Sequence, residues 1–153
     1  MPEGTDYAER LTVPLRWWVQ ATMLLATLWL AFVVAIPLWA ASLSAGGLLL
    51  VVFALFAWVG SARLAVHDGV LEAGTARIDL QHLGACEPLD ADGTRRVLGV
   101  EADARAFLVT RPYLKRSVRV TVTDPADPTP YWLLSTRRPR RLVAALTAAG
   151  VRG

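Results

Sequence analysis

Cysteine and histidine are scarce in this chain. Cys86 is the only cysteine among 153 residues, so no disulfide can form within it. That fits a reducing compartment. His67 and His82 are the only histidines, and no carboxylate is spaced to join them in a metal site. Neither a metal nor a cofactor is expected. Charge is missing over one long stretch: residues 17–62 contain no Asp, Glu, Lys or Arg. Such a gap excludes an ordinary soluble single domain, and its apolar content excludes disorder.

What is present is unevenly placed. Hydrophobic residues make up 54% of the chain and mean hydropathy is +0.40, with most of the excess inside the uncharged stretch. Basicity is segregated as well. Residues 1–62 and 63–110 are net acidic, whereas residues 111–153 carry nine Lys or Arg against Asp124 and Asp127. In a membrane protein, a basic face of this kind suggests anionic lipid before nucleic acid.

One helix through residues 17–62 would be about 69 Å long, against a hydrocarbon core of roughly 30 Å. Two spans fit. Pro37, Ser42, Ser44, Gly46 and Gly47 mark the break, so the spans are expected near residues 17–36 and 43–60. The first run exceeds a signal-peptide core and a second follows at once, so a retained hairpin is expected rather than a cleaved leader. Arg10, Arg16 and Arg63 flank the hairpin and its turn is uncharged. The positive-inside rule then puts both termini in the cytoplasm, with the hairpin in the cell's inner (plasma) membrane. Trp17, Trp18, Trp39 and Trp58 fall where interface anchors belong. Trp29 falls mid-span, where packing against the second span would account for it. No ionisable residue lies in either span, which argues against an ion pathway.

After Ala62 the pattern changes to short alternating runs. Residues 63–66 and 70–73 flank His67-Asp68-Gly69, a hairpin signal. Further strands are expected at 76–80, 83–87, 107–110, 117–123 and 131–135, with Val118, Val120 and Val122 facing a core. One or two helical turns are expected within 90–106. Thr136 is read as an N-cap, Pro139 as the first turn, and Leu142, Val143 and Leu146 as the buried face of a last helix ended by Gly150. The expected fold is a two-span membrane α-helical hairpin plus a small α+β domain, an antiparallel sheet or partly open barrel with a C-terminal helix. The expected division is a cytoplasmic segment over 1–16, the hairpin over 17–62 and a cytoplasmic domain over 63–153. The element order of that domain resembles the pleckstrin-homology-like domains of bacterial membrane proteins.

Four stretches carry a resemblance across the chain. They are Glu9-Arg10-Leu11-Thr12-Val13-Pro14 before a Trp pair, the hairpin, Asp124-Pro125-Ala126-Asp127-Pro128-Thr129-Pro130-Tyr131-Trp132, and Ser135-Thr136-Arg137-Arg138-Pro139. Together they resemble the actinobacterial membrane family called Domain of Unknown Function 3093. The resemblance implies a two-span inner-membrane protein with a small cytoplasmic domain and implies no activity.

Catalytic patterns fail. Asp68, Glu72 and Asp79 sit in or beside alternating strands and read as a solvated face. Ser117 and Ser135 lack a His–acid pattern, and no Gly-rich phosphate loop is present. Cys86 reads as a small apolar strand residue. The basic cluster stands apart, because Arg137, Arg138, Arg140 and Arg141 crowd a helix start where the macrodipole favours acids. That arrangement suits a bound anion, either a lipid phosphate headgroup or an acidic protein partner; a solvated Arg-rich face is the plain alternative. Arg111, Lys115, Arg116 and Arg119 form a second basic run around Tyr113. Nucleic acid is not expected, since no reading motif is present. The expected function is a non-enzymatic, membrane-anchored binding or scaffolding domain. The alternative is an accessory subunit of a larger membrane complex, with the hairpin as its interface.

Overall fold

The computed structural model describes residues 7–151. It comprises two compact units, one formed by residues 12–61 and the other by the chain on either side of them.

The first unit is an antiparallel helix pair, α1 (Leu15–Ala35) and α2 (Leu38–Val59). At 1.5 Å per residue each is about 32 Å long, enough to cross a hydrocarbon core. Both are long and apolar enough to span a membrane. Only Leu25 and Ala41 are buried within them; Leu24, Leu30, Val34, Leu43, Leu50 and Val51 are among the large apolar side chains left exposed. A surface of that kind is stable only in an apolar medium or under a covering partner. The break between the helices is sharper than the sequence suggests. Ile36 is extended, as a residue before proline prefers, and Pro37 caps α2. Ser42, Ser44, Gly46 and Gly47, expected in a connecting turn, lie inside α2. Proline removes a backbone donor, whereas each glycine costs only about 1 kcal/mol, which neighbouring Leu and Val offset.

Trp18 packs edge-on against Phe53 and Phe56, with centroids 4.8 and 5.3 Å away, and Trp17 meets Phe56 at 6.4 Å. These two are half-buried between the helices, while Trp39 and Trp58 are exposed. Trp29 reaches across to α2, its indole N–H donating to Ser42 Oγ at 3.3 Å.

The second unit begins before the hairpin. Strand β1 (Tyr7–Arg10) pairs antiparallel with β2 (Arg63–His67), so strand neighbours flank the helices in sequence. Residues 7–11 therefore belong to the sheet domain, whereas the sequence places them in a separate N-terminal segment. Four residues are too short to show alternation by themselves, and their partner lies beyond the helices. β2 turns into β3 (Val70–Ala73) through Asp68 and Gly69, both at positive φ as a two-residue hairpin demands. β4 (Ala76–Asp79) completes a sheet ordered β1-β2-β3-β4.

The other sheet holds β5 (Leu83–Leu89), β6 (Phe107–Val109), β7 (Ser117–Val122) and β8 (Tyr131–Ser135) in the order β5-β7-β8-β6. The sheets do not close into a barrel, and β6 pairs parallel with β8, so the arrangement is not wholly antiparallel. Alternation fixes which side chains point inward but not the direction of a neighbouring strand. Helix α3 (Ala91–Leu98) follows β5, and α4 (Pro139–Ala148) ends the domain.

The core joins both sheets to α4. Leu64, Val66 and Leu71 come from the first sheet, Val118, Val120 and Leu134 from the second, and Leu142 and Leu146 from the helix. Leu11, just after β1, is fully buried among them. Its N–H donates to Ala62 at 3.0 Å, and its carbonyl accepts the Tyr113 hydroxyl at 2.5 Å. A smaller cluster of Leu89, Val97 and Leu133 seats α3.

Candidate functional site

The start of α4 is built unlike an ordinary helix start. Pro139 occupies the first turn, which suits its missing N–H. The N-cap is Arg138, which has no side-chain capping bond, and the first turn contains no acid. Thr136 was the expected cap; it sits two residues earlier, where its Oγ1 accepts the Arg138 N–H at 3.0 Å.

The missing cap chemistry comes from the far end of the sequence. Glu9 on β1 accepts the Arg137 N–H on Oε1 at 3.0 Å and the Thr136 hydroxyl on Oε2 at 2.5 Å. The Tyr7 hydroxyl also donates to Glu9 Oε2, at 2.7 Å. Burial pushes the Tyr7 phenol up to about 12; the Thr136 hydrogen bond opposes the rise and the adjacent Glu9 carboxylate adds to it. Tyr7 therefore stays protonated and remains a donor. The sequence reading passed over Tyr7 and Glu9 as site residues. The available signal was that two stretches of the family resemblance, around Glu9 and around Thr136, are the two the fold brings together.

A groove of about 640 Å³ opens beside this helix start. Arg137, Arg138, Arg140 and Arg141 line one side, and Arg116, from the loop before β7, joins them. All five are exposed. Pro88, Leu89 and Asp90 form the facing wall. Asp90 is turned into its own helix, capping α3 by accepting the Gly93 N–H at 2.7 Å. A Cβ at Gly93 would come within 3.1 Å of that carboxylate oxygen, so glycine permits the close cap.

Ion pairing elsewhere on the domain sets the groove apart. Arg77 meets Glu72 at 2.8 Å, Arg105 meets Asp103 at 3.0 Å and Arg119 meets Glu87 at 2.6 Å. The Arg105 hydrogen bonds hold the Asp103 carboxyl below the usual carboxylate range. Among the described residues, Arg116, Arg138, Arg140 and Arg141 have no carboxylate within ion-pair distance. The second basic run is divided by the fold. Arg116 joins the groove, Arg119 pairs with Glu87, and Arg111 and Lys115 line a smaller cleft of about 370 Å³ with Arg95.

The other candidates are accounted for locally. Glu72 sits between Arg77 and His67, and Asp68 and Asp79 are exposed. Ser117 and Ser135 are buried; Ser117 shares a hydrogen bond with Thr94 at 2.8 Å, and Ser135 accepts the Arg111 N–H at 3.2 Å. Burial pushes the Cys86 thiol up to about 11, so it is protonated and unreactive at neutral pH. Among the described residues no group of three or more His, Cys, Asp or Glu could hold a metal ion.

No curated protein and no solved structure matches the chain. A family model does, over residues 6–146, a range that takes in β1, both long helices, both sheets and most of α4. The chain therefore belongs to the family described as Protein of unknown function (DUF3093).

Proposed function

We propose that this chain is a non-enzymatic inner-membrane protein whose hairpin anchors a small cytoplasmic binding domain, and that the arginine groove engages anionic phosphate headgroups of the inner leaflet. The observation that carries this reading is the groove itself, where Arg116, Arg138, Arg140 and Arg141 have no carboxylate within ion-pair distance among the described residues, around a helix start that has no acid in its first turn and no side-chain cap. Anions are favoured at helix N-termini by the exposed N–H groups and the macrodipole, and arginine adds forked donors that match phosphate oxygens. Each basic residue near an anionic leaflet contributes about 1 kcal/mol, modest for a free domain but effective for one already tethered.

Topology supports the same reading. The chain leaves the sheet at Arg10 and returns at Arg63, and these two residues are strand partners. An entry and an exit so close together suit a hairpin with both ends on one side of a bilayer, and the flanking arginines favour the cytoplasm as that side. A reporter fused after residue 153 should behave as cytoplasmic; strong alkaline phosphatase activity there would overturn the orientation.

The leaflet contact is tested on the full chain in bilayer nanodiscs. Hydrogen exchange in the first turns of α4 should slow when phosphatidylglycerol replaces phosphatidylcholine. Salt should reverse the effect, because exposed charges are screened within about 8 Å at physiological ionic strength. The combined variant Arg137→Gln, Arg138→Gln, Arg140→Gln and Arg141→Gln should remove it. Identical exchange in both lipids would end the headgroup reading and leave a solvated basic face. An accessory-subunit role does not need these arginines, so a quadruple variant that still co-purifies from membranes with the same partner proteins as the unaltered chain would favour that role.

A further inference from the structure

The groove holds more donors than one phosphodiester can use. A phosphodiester offers two non-bridging oxygens, enough for one forked guanidinium; a diphosphate ester offers five. Five arginines line this groove, four of which, Arg116, Arg138, Arg140 and Arg141, have no carboxylate within ion-pair distance among the described residues, and Asp90 in its wall is already bound to the Gly93 N–H. The guanidinium groups cluster despite mutual repulsion and against the helix dipole. Carboxylate partners exist nearby on the same domain, since Glu87 pairs with Arg119 one residue before the groove wall at Pro88, yet among the described residues Asp90 is the one carboxylate in the groove lining. Shape points the same way. A flat basic face suits diffuse attraction to a leaflet, whereas a groove of about 640 Å³ lies in the size range of discrete ligand sites. Its wall also has an apolar part, Pro88, Leu89 and Pro139, able to take the group that carries the phosphates.

The geometry points to a diphosphate-bearing ligand seated between the start of α4 and the end of β5. This deepens the anion-binding reading above and rests on it. Arg138, Arg140 and Arg141 bind the terminal phosphate at the helix start, and Arg116 closes over the inner one. The Glu9 bridge to Thr136 and Arg137 holds the α4 wall in place, with Glu9 as a positioning residue. The diphosphate is supplied either by a soluble compound or by a lipid headed by that group.

The test uses the full chain in phosphatidylcholine nanodiscs, with inorganic phosphate and inorganic pyrophosphate as probes in magnesium-free buffer. Pyrophosphate should bind at least tenfold more tightly than phosphate. Arg138→Gln with Arg140→Gln should weaken it tenfold or more, and Arg138→Lys with Arg140→Lys should restore only part, because charge returns without the fork. Arg95→Gln, outside the groove, serves as control and should leave binding unchanged. A second arm embeds a C15 isoprenyl diphosphate in the disc. Displacement of pyrophosphate by the embedded lipid assigns the membrane as source, and binding of pyrophosphate alone assigns a soluble one; both uphold the proposal. Equal affinity for the two probes, no binding of either, or indifference to the groove variants overturns it. Phosphatidylglycerol-dependent slowing of exchange without pyrophosphate preference sinks this inference and leaves the headgroup reading standing.

Discussion

Two helices start on the rim of one groove and satisfy their first turns in opposite ways. α3 is capped from within: Asp90 accepts the N–H of Gly93 three residues on, and Asp92 adds an acid to the first turn. α4 has no side-chain cap and no acid in its first turn. Its approach is held by Glu9 through Thr136 and Arg137, from a strand more than a hundred residues earlier. Positive charge is then piled where α3 places negative charge. The difference shows that the first turn of α4 has no acid of its own and that its approach is braced by tertiary contacts instead.

The largest expected effect comes from breaking the long-range brace. Glu9→Ala removes a carboxylate that accepts from Tyr7, Thr136 and Arg137, and hydrogen bonds to a charged group are worth about 1.5–3 kcal/mol each at most. The domain should lose about 2–3 kcal/mol by denaturant unfolding of the full chain in detergent. A loss no larger than that of Asp90→Ala would mean that the bridge contributes no more than an ordinary cap.

Asp90→Ala should cost about 1 kcal/mol, the usual loss for an N-cap carboxylate. The same change removes the negative charge from the groove wall, so pyrophosphate affinity should rise as stability falls. A parallel fall in both would show that α3 shapes the groove and that its charge matters little.

Arg140→Glu reverses one charge in the first turn of α4. It should raise stability by about 0.3–1 kcal/mol through the macrodipole while weakening anion binding. Lower stability, read as a decreased Tm, would count against an electrostatic penalty at this terminus.

The last effect arises in the core and appears only at alkaline pH. Cys86 is buried and its thiol is raised to about 11 from an ordinary value near 9. Folding favours the protonated form, so this contribution is intact below about 9 and is lost as pH rises towards 11. Alkylation at pH 8 should be slow in the folded chain and fast after unfolding; equal rates would mean that the thiol is accessible.

Much of this protein was legible in its sequence. The uncharged stretch of residues 17–62 yields two helices long and apolar enough to cross a membrane, as its length and the break at Pro37 lead one to expect. Asp68-Gly69 makes the expected hairpin because glycine and aspartate reach positive φ cheaply. Val118 and Val120 are fully buried and Val122 half-buried, as the alternation leads one to expect, while Leu142 and Leu146 are buried on α4 and Val143 only half-buried. The four arginines at that helix start were visible as a breach of the dipole rule. These features depend on neighbours within a few residues, and local chemistry is written in order along the chain.

Only the tertiary structure decided the rest. β1 is a strand because Arg63–His67 is there to pair with it, and β6 runs parallel to β8 because the chain returns across the sheet before β7. Neither is recoverable from alternation, which carries no information about a strand's partner. Arg116 joins the cluster, and Glu9 braces it, through contacts that span more than twenty and more than a hundred residues. The sequence thus determined which segment is apolar enough to anchor the chain and which helix start is overloaded with cations. Strand pairing turned those cations into a groove, since concavity requires surfaces from separate parts of the chain to face each other.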